Sequence, residues 1–295
     1  MKFSIKNSLK SSLKSSIIIL KLVIPIYIFA DILFYSNLLE YVTFIFEPIT
    51  SFLSLPSETA LAIVSGIFLN LYAAIAFAAP LELSPKEWTT LAVFLGICHA
   101  LIVETAVMKK LGISKKFSIL LRLIAGLIVG YITTLLPESL FITDTILSES
   151  RSTIRTYSSI SELLLNSTYE SLYLSMQIII LITLLIFTLD FIKSLKFIKD
   201  YSNKVNSAFS ITIGVILGIT YGAGILISEY EKNTLTKKEI LYIGTFLMIC
   251  HAIIEDTLLF VIFGANFWVI VSLRVIFAFI FAFLCVKLLE SKVQD

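Results

Sequence analysis

Two histidines and three cysteines are the whole stock of imidazole and thiol groups in this 295-residue sequence. Cys98, Cys250 and Cys285 form no CxxC pair and no finger spacing, which excludes a zinc finger and a disulfide framework. The chain has no GxxxxGK[ST], no HExxH and no GxSxG. A P-loop engine, a zincin and a serine hydrolase are thereby set aside, and no enzyme activity is expected. Charge is scarce as well: Asp, Glu, Lys and Arg make up 15% of residues and the formal net charge is +2, which gives nucleic acid nothing to bind. What is abundant is apolar. Hydrophobic residues reach 58%, well above the roughly 45–50% of soluble domains.

Long apolar runs fall at about 17–36, 57–80, 88–108, 117–136, 171–192, 208–228, 240–262 and 266–288. A lipid-spanning helix needs roughly 20 such residues. The expected fold is therefore all-α, a polytopic membrane bundle of about eight transmembrane helices. Residues 1–16 read as a basic cytoplasmic lead-in, with Lys2, Lys6, Lys10 and Lys14 along one helical face. The stretch 40–55, with Glu47-Pro48 in its middle, is too short and charged to span and reads as a re-entrant or interfacial half-helix. Residues 138–170 are polar and Ser-rich and read as a linker between a first membrane repeat at 17–137 and a second at 171–295. Ile28-Phe29-Ala30-Asp31 is echoed at Ile186-Phe187-Thr188-Leu189-Asp190, so the first segment belongs to the mature repeat rather than to a cleaved signal.

The two halves resemble each other. Leu83–Arg122 aligns with Leu235–Arg274 at a constant offset of 152, and fourteen of the forty pairs are identical. The polar identities carry the match, because shared apolar bias does not supply them. Lys86-Glu87 pairs with Lys238-Glu239, Cys98-His99-Ala100 with Cys250-His251-Ala252, and Gly112 with Gly264. Thr105 pairs with Thr257, Arg122 with Arg274, and Glu104 with the conservative Asp256. The only two histidines occupy equivalent positions. Two four-helix repeats with polar groups at their seam fit a transporter, since repeat-built transporters place their sites there.

At Cys98-His99-Ala100-Leu101-Ile102-Val103-Glu104-Thr105 and its copy, the sequence resembles the nucleoside-recognition, or Gate, domain family. That family has relatives in the gate segments of the ferrous-iron transport B protein, in concentrative nucleoside transporters and in spore-maturation membrane proteins. The resemblance covers roughly 57–136 and 208–288. The chain departs from the iron transporter in lacking a GTPase module, and from full-length nucleoside transporters in lacking their further transport segments. It therefore implies a gate-like membrane core without implying a nucleoside as substrate.

On one straight helix, His99 and Glu104 point about 100° and 120° to opposite sides of the Cys98–Thr105 face. Either the helix is locally unwound or the two residues serve different partners. Glu104 and Arg122 lie at similar depth on either side of the turn at Gly112, roughly 12–15 Å from it, and Asp256 and Arg274 repeat this around Gly264. Both arginines are expected to hold the carboxylates in ion pairs. His99 and His251 would face each other if the repeats meet. They then bind a solute or a metal, relay protons, or merely hydrogen-bond a neighbouring helix. Cys98 and Cys250 would flank them, although no metal ligand set is assigned. Gly214, Gly218, Gly222 and Gly224 make a small-residue stripe suited to close packing or unwinding, and Gly126 with Gly130 forms a GxxxG packing face. Asn70 is an amide inside an apolar run and needs a partner.

The leading expectation is a permease for a small polar solute or ion in the cell (inner) membrane. Its substrate-binding residues are His99, His251, Glu104, Asp256, Asn70, Gly218, Gly222 and Tyr221, with Arg122 and Arg274 as structural partners. No cofactor is identified. The partners are the lipid bilayer and the solute, with room for a homo-oligomer or a membrane partner. The alternative is a membrane scaffold that binds a partner and transports nothing. One conflict stands: with eight spans, the lysine-rich 109–116 and 193–204 stretches lie opposite the basic N-terminus, against the positive-inside bias. It disappears if 40–55 also crosses.

Overall fold

The computed structural model describes residues 4–36, 43–141, 157–194, 227 and 235–293. Among these residues there are helices and turns and no strand. The helices are α1 (Ile5–Tyr35), α2 (Glu47–Phe52), α3 (Ala60–Phe68), α4 (Leu71–Ala78), α5 (Pro85–Cys98), α6 (Leu101–Lys110), α7 (Lys115–Thr134), α8 (Ile160–Ser194), α9 (Lys237–Ile249), α10 (Ile253–Val261) and α11 (Phe267–Val293). Among the described residues, six helical stretches are long and apolar enough to cross a membrane: α1, α5 with α6, α7, α8, α9 with α10, and α11. The protein is thus a multi-pass helical membrane protein.

Burial sorts these spans. In the most apolar window of α5–α6 and of α9–α10, 72% and 78% of residues are buried, against 22% in α8 and 33% in α1 and α11. The α5–α6 and α9–α10 spans form the interior, and the others present Ile, Leu and Phe outward to lipid. Helix α5 packs on α7 through Gly126, which admits Cys98 and Phe94, and Gly130, which admits Leu53 and Phe94. That is the packing role expected of this GxxxG. Trp88 of α5 stacks on Phe263 at 4.6 Å between ring centroids, tying the two halves together.

The basic lead-in expected at 1–16 is, from Ile5 onward, the first part of α1. Likewise α8 begins at Ile160, inside the expected linker. Both extensions form because α1 and α8 run antiparallel and bury their serines against each other. Ser8 Oγ donates to Asp190 Oδ2 at 2.7 Å, and Ser12 Oγ meets Thr183 Oγ1 at 2.6 Å. At the other end Ser167 Oγ donates to Asp31 Oδ2 at 2.5 Å. Lys6, Lys10 and Lys14 lie exposed on the opposite face of α1.

The single span expected over 57–80 is instead a hairpin of two short helices, α3 and α4, with Gly66 packed on Ala74. The chain turns at Leu69–Asn70, where Asn70 leaves helical geometry and its Oδ1 accepts the Ala73 N–H at 3.0 Å. The amide is thus an N-cap, which satisfies a helix-end donor that a bilayer would leave unpaired. In the 40–55 stretch the described helix is the six-residue α2, too short to cross.

Candidate functional site

Each interior span is interrupted at the repeated tripeptide. Helix α5 ends at Cys98 and α6 starts at Leu101, and α9 ends at Ile249 while α10 starts at Ile253. The span expected over 88–108 is therefore locally unwound, one of the two arrangements left open by the directions of His99 and Glu104. Ala100 and Ala252 sit in the left-handed region with φ of 45° and 44°. An L-residue there costs about 1–2 kcal/mol, so surrounding contacts must hold it. At the first break, the Ala100 N–H donates to Gly66 O at 2.9 Å, anchoring the interruption to the α3–α4 hairpin.

A broken helix leaves carbonyl oxygens unpaired at the end of its first half. The two arginines supply the missing donors. Arg122 Nε donates to Ile97 O at 2.6 Å and Nη2 to His99 O at 2.7 Å. Arg274 Nε donates to Ile249 O at 3.1 Å and Nη2 to His251 O at 2.9 Å. Both arginine side chains are fully buried. A guanidinium is suited to this because its fork meets two carbonyls while its charge offsets the negative helix end.

The carboxylates balance these charges. Glu104 Oε2 lies 2.8 Å from Arg122 Nη2, an ionic contact outside aligned hydrogen-bond geometry. Arg274 Nη1 donates to Asp256 Oδ2 at 3.2 Å. Both ion pairs are those expected from the hairpin depths, and both arginines do more than clamp a carboxylate. The halves also interlock, because Arg274 Nη2 donates to Gly96 O at 2.8 Å. A Cβ at Gly96 would stand 3.0 Å from Arg274 Nη1, so only glycine leaves the guanidinium this room.

The histidines meet between the two breaks, with ring centroids 5.2 Å apart. Nδ1 of His99 lies 2.9 Å from Leu95 O, and Nδ1 of His251 lies 2.8 Å from Leu247 O. A carbonyl only accepts, so both Nδ1 atoms carry the proton. Both Nε2 atoms then face one oxygen, Glu104 Oε1, at 3.0 Å from His99 and 3.1 Å from His251. The break lets His99 and Glu104 share a partner that a straight helix denies them.

Of the residues expected at the site, His99, His251, Glu104, Asp256, Arg122 and Arg274 are gathered at the breaks. Asn70 is not among the groups on this cluster and serves the α4 cap. Gly218, Gly222 and Tyr221, with Gly214 and Gly224, lie outside the described residues. Cys98 does not join the histidines: its Sγ contacts Arg122 O at 3.1 Å. Three participants escaped sequence reasoning. They are the backbone carbonyls of residues 97 and 249, Gly96, and the left-handed alanines. A repeated Cys-His-Ala in an apolar span was the one available signal.

No family model matches the chain. It is 28% identical over 276 residues, 86% of this chain and 85% of the relative, to the uncharacterized membrane protein YvoD of Bacillus subtilis (strain 168). No solved structure matches.

Proposed function

We propose that the chain is a cell-membrane permease for a small polar solute or ion, built from two inverted copies of one unit whose described residues hold three spans. One observation carries this reading: two interior spans are broken at the same Cys-His-Ala and face each other across imidazole, carboxylate and guanidinium groups. Non-helical backbone and charge at membrane depth are costly, and transporters place both where a solute binds. The resemblance to Gate domains at these residues agrees with it. On this reading the protein performs no chemistry on its solute.

The inverted layout is supported by the α1–α8 pair. Asp31 of α1 takes Ser167 of α8, and Asp190 of α8 takes Ser8 of α1; 190 − 31 and 167 − 8 are both 159. Contacts that exchange in this way between antiparallel helices imply a two-fold axis across the helices, in the membrane plane. Three spans in the first unit, in place of four, also remove the lysine conflict. From a cytoplasmic N-terminus, α1 exits, α5–α6 returns to the 109–116 lysines, α7 exits, and α8 returns to the 193–204 lysines.

The test is flux in proteoliposomes with H⁺, Zn²⁺, Fe²⁺ and nucleosides as probes. At least one probe should move, and His99→Ala with His251→Ala should abolish its movement while the protein stays monodisperse. A folded protein that moves none of them, or a double variant that moves its probe at the wild-type rate, sinks the site assignment in favour of the scaffold. Layout is tested separately in cells, in a cysteine-less background. Ser139→Cys should react with an impermeant maleimide from outside, and Lys116→Cys only after permeabilisation. Labelling of both from one side rejects the three-span unit.

A further inference from the structure

We propose that His99 Nε2, His251 Nε2 and Glu104 Oε1 form a binding site for one divalent transition-metal cation that joins the two broken helices. The proposal uses the same cluster as the permease reading and gives its site a ligand class.

The argument begins with the rings. Their Nδ1 protons are committed to Leu95 O and Leu247 O, so in each neutral imidazole Nε2 carries a bare lone pair. Both lone pairs converge on a carboxylate oxygen, which has lone pairs of its own. The three ligand atoms all lie within 4.8 Å of one another, and each of the three residues is buried. Buried acceptors that converge need a proton or a metal cation between them. Ring protons would meet this need as one or two imidazoliums, each serving a single nitrogen–carboxylate pair, with the ring centroids 5.2 Å apart. A single divalent ion satisfies all three donors with both rings neutral.

The donor set selects the metal. Imidazole and carboxylate suit zinc, iron(II), cobalt or manganese, whereas calcium and magnesium prefer oxygen alone. Metal–ligand bonds of about 2.0–2.2 Å require the rings to close on the ion by a few tenths of an ångström. The surroundings are those of a metal site: each ligating ring donates its other N–H to a carbonyl, and the carboxylate is held by a guanidinium. With three protein ligands, further positions stay open to water or to a passing solute.

The test uses Co²⁺ as probe on the full-length, detergent-purified chain after chelator treatment. The expected result is one Co²⁺ per chain with ligand-field absorption, displaced by Zn²⁺. Affinity should fall by at least about a hundredfold in Glu104→Gln and in His251→Ala, since loss of a supporting residue alone costs 10–100-fold. Cys98→Ser should keep the ion. Wild-type protein that takes up no more Co²⁺ than the double-histidine variant overturns the site, and this comparison does not depend on flux. Tight, histidine-dependent metal binding with no flux of any probe upholds the metal site and rejects the permease. Flux that persists with chelator on both sides of the bilayer, joined to absent Co²⁺ uptake, does the reverse.

Discussion

Glu104 and Asp256 hold equivalent places at the two helix breaks and differ by one methylene, yet their surroundings diverge. The longer side chain reaches past Arg122 to both histidines, while the shorter one stays on Arg274. The arginines diverge in the opposite sense. Arg274 donates to Ile249 O, His251 O, Gly96 O and Asp256, whereas Arg122 Nη1 is buried without a hydrogen-bond partner among the described residues. On the proposed reading, one break is a hub that gathers donors for a ligand. The other has become the brace that holds the hub's geometry. On that reading, a methylene and a glycine divide sequence-similar halves between binding and support.

The largest test of that division removes the guanidiniums. Stripping one partner from a buried ion pair costs about 3–5 kcal/mol. Arg274→Met should fall at the upper end of this range, because three carbonyls and a carboxylate lose their donor. Arg122→Met should fall at the lower end, and thermal unfolding in detergent measures both. Equal losses would erase the distinction between hub and brace. A smaller effect is expected from the isosteric amides. Glu104→Gln should cost about 1.5–3 kcal/mol, the worth of contacts to a charged group, because its charge faces the buried Arg122 guanidinium. Asp256→Asn should cost about half as much, since the amide oxygen keeps its single bond to Arg274.

The α1–α8 pair extends the comparison to the outer layer. Ser167→Ala strands part of Asp31, which is only 4% exposed, whereas Ser8→Ala affects the half-buried Asp190. Losses of about 1–2 kcal/mol and under about 1 kcal/mol are expected, read as shifts in unfolding temperature. A reversed order would mean that the exchanged contacts do not share one environment gradient.

Composition and run length made the membrane fold legible, and the offset of 152 made the shared Cys-His motif legible. The depth argument also found Arg122 for Glu104 and Arg274 for Asp256, because helix rise depends only on residue count. The directions of His99 and Glu104 offered a break as one of two alternatives, but its place and cause were not legible. Neither break contains proline or glycine, and they exist because distant donors capture the freed carbonyls: Arg122 and Arg274 lie 23 residues from the His99 and His251 oxygens they bind. The N-terminal extension of α1 was hidden for a similar reason. Ser8 and Ser12 read as a polar lead-in until α8 is packed against them. Asn70 was the exception, since an amide inside an apolar run is a cap signal as well as a site signal.

The smallest expected effect has the most informative sign. Ala100 and Ala252 occupy left-handed backbone at φ of 45° and 44°, so the two breaks store the same strain even though their electrostatics differ. Replacing alanine by glycine removes a steric penalty of about 1–2 kcal/mol and adds an unfolded-state entropy cost of about 0.5–1 kcal/mol. Each substitution should therefore stabilise the chain by up to about 1 kcal/mol, equally at the two positions. If the spans ran through as unbroken helices, the same changes would destabilise it by about 1 kcal/mol each, the cost of glycine in a helix interior. The direction of the shift in unfolding temperature thus reads the backbone at each break without reference to any ligand. A gain at one site and a loss at the other would show that only one half is interrupted, and the face-to-face arrangement of the histidines would then have no basis.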